Sequence, residues 1–160
     1  MTLVIDPVPV VVDASVAIEL AIGQRADVLI AWRSWLAGDR MVLAPAVHWT
    51  EVGHVLLRHA GRDPAAAAQR IAMLEESGLQ VADRGAAGIR LALSLAARHR
   101  LSVYDATYLW LAIDVDGELA TFDRALAAAA EAEGVPLALE PQGAADAETP
   151  VPGRVDGRLA

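Results

Sequence analysis

A valine-rich run from Val8 to Val12, free of charged side chains, has the pattern of a central strand in a parallel sheet covered on both faces. Asp13 closes it. Between Arg25 and Leu36, the residues Val28, Leu29, Trp32, Trp35 and Leu36 recur at the spacing of an amphipathic helix, which Gly38 ends. Met41 to Ala44 reads as a short strand. Pro45 then suits the first turn of a helix reaching about His59, with Gly61 as its stop. Pro64 opens an alanine-rich helix that Gly78 terminates, Leu79 to Ala82 forms a strand, and helices follow over about Ala86 to Arg98 and Val103 to Ile113. Asp116-Gly117 makes a turn; Leu119 to Thr121 is a strand, Asp123 to Glu133 a helix and Val135 to Leu139 the last strand. Strands alternating with helices predict an α/β fold. After Glu140 the chain turns to Pro, Gly, Ala and acidic residues without an apolar period, so residues 1–140 are expected to form the domain and residues 141–160 a disordered tail.

Composition narrows the chemistry. With 160 residues, 55% of them hydrophobic, the chain has the size of one domain and buries roughly 70% of its unfolded surface. It has no Cys, which excludes disulfides, thiolate nucleophiles and Cys-based metal sites. All 13 basic residues are Arg, so a P-loop and Schiff-base lysine chemistry are excluded, and no Gly-x-Gly-x-x-Gly fingerprint occurs. No apolar run approaches about 18 residues, and no basic region precedes an apolar stretch at the N-terminus, which predicts a soluble, cytoplasmic protein without a membrane span. A net charge of −8 argues against a broad basic surface for nucleic acid. It leaves a local Arg patch, a basic protein partner or a bound cation.

Four acidic residues interrupt segments that otherwise read as buried: Asp13, Glu51, Asp105 and Asp123. Asp13 and Asp123 fall at the carboxyl ends of strands, where open α/β sheets bind their ligands. Glu51 lies between Val47 and Val55 at i−4 and i+4, a row expected to face the core, and Asp105 opens a helix whose Tyr108 and Leu109 turn inward. Two carboxylates 4 Å apart repel by about 4 kcal/mol at an effective dielectric of about 20, so a cluster calls for a shared cation. Oxygen ligands select Mg²⁺ or Mn²⁺, and phosphodiester hydrolysis by a metal-activated water is the matching chemistry. Structural alternatives stand beside this reading. Asp13 and Asp123 suit helix N-caps and Ser102-x-x-Asp105 suits a capping box, whereas Glu51 is hard to explain as a cap. His48 and His54 point to different helix faces, so no His-based zinc site is expected. His54 is expected near the site or partly buried, and His59 and His99 act as helix C-terminal dipole partners. Trp32 and Trp35 are expected in the core, with an interface as the alternative. Arg58, Arg62, Arg98 and Arg100 are expected in solvent, with a phosphate contact as theirs.

The Asp13-Ala14-Ser15 elbow, Glu51-Val52 in the Pro45 helix, Tyr104-Asp105-Ala106 and Thr121-x-Asp123-x-x-Leu126 together resemble the PIN-domain ribonucleases, specifically VapC-type toxins, over about Val10 to Leu139. The resemblance implies a PIN-like three-layer α/β fold, its parallel, about five-stranded sheet flanked by helices. It also implies a Mg²⁺- or Mn²⁺-dependent endoribonuclease site in which Asp13, Glu51, Asp105 and Asp123 are both catalytic and metal-binding, with Ser15 and Thr121 lining it. RNA as substrate, a homodimer and a VapB-type antitoxin partner are implied as well. The chain departs from the pattern at His54, where relatives often carry Asn, and in its tail, which has no family counterpart. The alternative is a catalytically silent PIN-like binding module whose acidic pocket receives a basic partner peptide.

Overall fold

The structure is a computed structural model and describes residues 6–139 and 141. Strands and helices alternate as β1 (Val10–Val12), α1 (Ala14–Ile22), α2 (Ala26–Ala37), β2 (Val42–Ala44), α3 (His48–His59), α4 (Pro64–Glu75), β3 (Leu79–Val81), α5 (Gly85–His99), α6 (Val103–Asp114), β4 (Glu118–Ala120), α7 (Arg124–Ala132) and β5 (Leu137–Leu139). The sheet is parallel throughout, in the order β3-β2-β1-β4-β5. This is the five-stranded α/β architecture expected, and the three valines of β1 at its centre have no exposed surface. The expected tail lies outside the described residues except for Pro141.

The strand order reverses at β1, which pairs with β2 on one side and β4 on the other. Such a switch point opens a crevice at the carboxyl ends of the two strands. Val12 is in register with Ala120, and the Asp13 N–H donates to the Ala120 carbonyl at 2.9 Å. The ladder therefore continues one residue past the strand and fixes the Asp13 backbone against β4.

Helix α1 has no counterpart in the sequence reading, because Ala14–Ile22 is apolar on nearly all sides and shows no amphipathic period. Its stop is clear. Gly23 adopts φ 73° and returns its N–H to the Glu19 carbonyl. Helix α3 starts at His48, three residues after Pro45, because Pro45 opens a turn closed by the His48 N–H on its carbonyl. Asp63 caps α4 by accepting from the Ala65 N–H, with Pro64 at the first helical position.

Trp32 and Trp35 are 3% and 5% exposed and pack with ring centroids 5.8 Å apart, so the core reading holds. The Trp32 indole N–H donates to the Ser77 carbonyl, tying α2 to the end of α4. Helices α5 and α6 approach closely at Gly88, where a Cβ would stand 2.7 Å from the Trp110 ring. Among the described residues no helix is long and apolar enough to cross a membrane.

Candidate active site

At the switch point, Asp13 leaves β1 as the N-cap residue of α1, yet its side chain makes no capping bond. It turns instead toward β4. Its Oδ2 accepts from the Ser15 hydroxyl at 2.7 Å and the Thr121 hydroxyl at 2.8 Å. Both hydroxyls also accept from the chain after β4: the Phe122 N–H donates to Ser15 Oγ and the Asp123 N–H to Thr121 Oγ1, each at 3.0 Å. Ser15 and Thr121 therefore clamp the β1 and β4 ends together around one carboxylate. Asp13 is 6% exposed. Burial raises its pKa above the usual value, Ser15 and Thr121 oppose the rise, and the nearby Asp105 charge adds to it.

Glu51 stands in the first turn of α3 and is half-buried. The buried stripe of this helix is His48, Val52 and Leu56, so Glu51 lies on its flank, while Val55 is 36% exposed. The expectation that the row through Val47, Glu51 and Val55 faces the core is corrected by one helical step. Oε2 of Glu51 accepts from the Tyr108 hydroxyl at 2.5 Å. Burial raises the Glu51 pKa, the Tyr108 bond lowers it, and the charges of Asp13 and Asp105 raise it further.

Asp123 carries the helix-capping role foreseen for it, whereas only the Ser102 half of the capping box foreseen for Asp105 forms. Ser102 caps α6, accepting from the Asp105 N–H at 3.0 Å and donating its hydroxyl to Asp105 Oδ2 at 2.6 Å. Asp123 is exposed and caps α7 through Oδ1, which accepts from the Leu126 N–H at 2.8 Å. Asp13, Glu51 and Asp105 thus feel one another's charge. Asp123 joins them through its backbone bond to Thr121. Among the described residues the acidic side chains do not close into a three-ligand metal cage.

The donor set nevertheless suits a hard divalent cation, which binds through one or two carboxylates and keeps several waters. A buried carboxylate whose ionised form is disfavoured by burial and by a neighbouring carboxylate is stabilised by nearby positive charge. His48 and His54 lie in different environments: His48 has no exposed surface, whereas His54 is exposed, contrary to the expectation that it would be partly buried. His99 instead bonds Glu133 at 2.6 Å, alongside Arg98 at 2.7 Å, so the α5 end is tied to the end of α7. Arg58, Arg62 and Arg100 are exposed as expected. A mainly apolar cleft, lined by Pro45, Val47, Gly88, Ile89 and Trp110 among others, contains none of the four carboxylates.

The tie from Tyr108 to Glu51 is not among the features expected from the sequence. A tyrosine inside an apolar helical run needs a partner for its hydroxyl once buried, and that requirement was the available signal.

The family model of the PIN domain matches residues 10–132. The chain belongs to the PIN-domain family. Among solved structures, that of PAE2754 from Pyrobaculum aerophilum is similar at TM-score 0.62 and 24% identity, covering 84% of each chain. Mycobacterium tuberculosis VapC20, a sarcin-ricin loop cleaving toxin, is similar at TM-score 0.60 and 22% identity, over 75% of this chain and 94% of that one. A toxin-antitoxin complex from Klebsiella pneumoniae follows at TM-score 0.55 and 19% identity, over 71% and 86%. At these identities the neighbours establish the shared fold. No curated protein sequence matches the chain.

Proposed function

We propose that this protein is a Mg²⁺- or Mn²⁺-dependent endoribonuclease, the toxin component of a VapBC-type toxin–antitoxin pair. The observation that carries the reading is the buried Asp13 carboxylate at the β1/β4 switch point, within reach of the Asp105 and Glu51 charges. Asp13, Glu51, Asp105 and Asp123 would hold the cation. When bound, the cation supplies water of lowered pKa and neutralises charge on the phosphodiester. Ser15 and Thr121 hold Asp13 in one orientation through two hydroxyl bonds, and their own bonds to Phe122 and Asp123 keep the β4 end in place. RNA is the substrate in this reading. A VapB-type antitoxin inhibits the enzyme by bringing a basic side chain to the acidic site, and the functional unit is a cytoplasmic homodimer. The reading draws on PIN-domain membership and on the likeness to a toxin that cleaves the sarcin-ricin loop and to a toxin-antitoxin complex.

The test is incubation of total RNA with antitoxin-free protein and Mg²⁺ or Mn²⁺, with EDTA and with Asp13→Ala as controls. Discrete fragments that disappear with EDTA and in the variant are expected. One observation favours a second reading, a catalytically silent module that receives a basic peptide: Asp105 and Asp123 each accept a hydrogen bond at a helix start. Folded, cation-loaded protein that leaves the whole RNA pool intact would decide for that module.

A further inference from the structure

Two buried polar groups remain outside the chemistry described so far. Tyr108 on α6 and His48 on α3 have no exposed surface, and their contact spans 60 positions of the chain. The Tyr108 oxygen stands 2.5 Å from Glu51 Oε2 and 3.2 Å from His48 Nδ1. A phenol has one proton to donate. With that proton on the bond to Glu51, the bond to His48 requires Nδ1–H to donate to the phenol oxygen. The imidazole is then the neutral Nδ1–H tautomer, and its buried Nε2 lone pair has no partner among the described residues. The three groups form a chain of donors that runs one way, from His48 through Tyr108 to the Glu51 carboxylate.

We infer that Tyr108 is a positioning residue for Glu51: it occupies Oε2, fixes the rotation of the carboxylate and leaves Oε1 for the cation, while His48 orients the phenol. The inference rests on the proposed role of Glu51 as a metal ligand. Packing alone does not account for the arrangement, since phenylalanine would fill the same space without requiring partners for a buried hydroxyl. Nor does Glu51 need the bond in order to fold, because a half-buried carboxylate at a helix start can reach water. Ties of this kind set the orientation of a ligand, and their removal typically costs about 10- to 100-fold in metal affinity or activity.

The experiment is calorimetric titration of Mn²⁺ into the full chain and into Asp13→Asn, Tyr108→Phe and His48→Gln, with thermal melts of each in EDTA. Tyr108→Phe is expected to weaken Mn²⁺ binding about 10-fold or more. His48→Gln should weaken it less, since the glutamine amide can still donate to the phenol. An affinity in Tyr108→Phe within about twofold of the unmodified protein overturns the inference, whatever happens to its melting temperature. If Mn²⁺ binds the unmodified protein and not Asp13→Asn, the metal site stands and that result condemns the inference alone. If the unmodified protein binds no Mn²⁺, both fall. Should Tyr108→Phe fail to fold, the chain's 2 tyrosines allow a direct readout by ¹³Cζ-tyrosine labelling. The Tyr108 signal, assigned with Tyr104→Phe, should move on Mg²⁺ titration and lose that response in Glu51→Ala. A signal indifferent to Mg²⁺ in cation-binding protein overturns the inference.

Discussion

Lowering the pH should destabilise the fold through His48. The imidazole has no exposed surface and no partner for Nε2 among the described residues, and burial pushes its pKa from 6.5 down to about 4. As the pH falls, the unfolded chain takes up a proton near 6.5, while the folded protein refuses one until about 4. Stability from this group is therefore complete above the unfolded value and is lost as the pH falls between the two, with no further loss below. At about 1.4 kcal/mol per pH unit, the gap corresponds to about 3 kcal/mol, most of it reached by about pH 4.5. Asp13 and Glu51 act with the opposite sign: their raised values let the folded state take protons first, which adds stability as the pH falls. Glu133, held low by His99 and Arg98, loses its contribution as the pH falls through its folded value. His48→Gln keeps a donor toward Tyr108 and does not titrate, so its difference from the unmodified protein isolates the imidazole. Urea unfolding of both proteins from about pH 8 to about pH 4.5 gives the comparison. The unmodified protein should lose a further 1–2 M or so in midpoint, taking a slope of about 2 kcal/mol per molar. Parallel pH profiles for the two proteins would refute the reasoning.

Three further outcomes are expected. Asp13→Asn keeps the shape of the side chain and removes a buried charge facing Asp105. In EDTA its melting temperature should equal or exceed that of the unmodified protein, at about 2–4 °C for each kcal/mol gained, while RNA cleavage is lost. A clear fall in the melting temperature would contradict the account of this buried charge. Mn²⁺ should raise the melting temperature of the unmodified protein in proportion to the logarithm of its concentration and leave Asp13→Asn unmoved, as differential scanning fluorimetry would record. Tyr104 is 60% exposed immediately before Asp105, so Tyr104→Ala should cost about 1–3 kcal/mol of base stacking, read as a KM raised by about 5- to 150-fold with kcat little changed. An unchanged KM would remove RNA stacking from this surface.

The central strand and the acidic residues were legible because each breaks a simple pattern. A short β-branched run bounded by turn residues favours a buried strand, which here spans Val10–Val12, and the carboxylate that ends it marks the strand's open end. Helix α1 was not legible, since a segment apolar on nearly every side has no period to detect. Glu51 was read in the right helix but on the wrong row, because α3 devotes His48, a residue with weak preference for either environment, to its buried stripe. The bond from Tyr108 to Glu51 joins residues 57 positions apart, and helix periodicity describes only neighbours within a turn or two. That Ser15 and Thr121 share Asp13 depends likewise on strand order, which brings β4 beside β1 after an interval of more than 100 residues.

Helix starts also answer a difficulty raised by the sequence, namely how one small domain accommodates four carboxylates in its candidate site, three of which feel one another's charge. All four stand at helix starts: Asp13 at the N-cap of α1, Glu51 in the first turn of α3, Asp105 in the first turn of α6 and Asp123 at the N-cap of α7. Each helix start favours an anion by about 0.3–1 kcal/mol, which over four helices offsets a repulsion of the size expected for one exposed pair. Each carboxylate also accepts from a donor fixed by the fold: two hydroxyls for Asp13, a phenol for Glu51, a serine for Asp105 and a backbone N–H for Asp123. These donors hold the carboxylates before any cation arrives, so the fold need not depend on one. Folding without metal and the proposed metal-dependent chemistry are therefore compatible in the same residues. The donors that serve the first, Ser15, Thr121 and Tyr108, are also those that would orient Asp13 and Glu51 for the second.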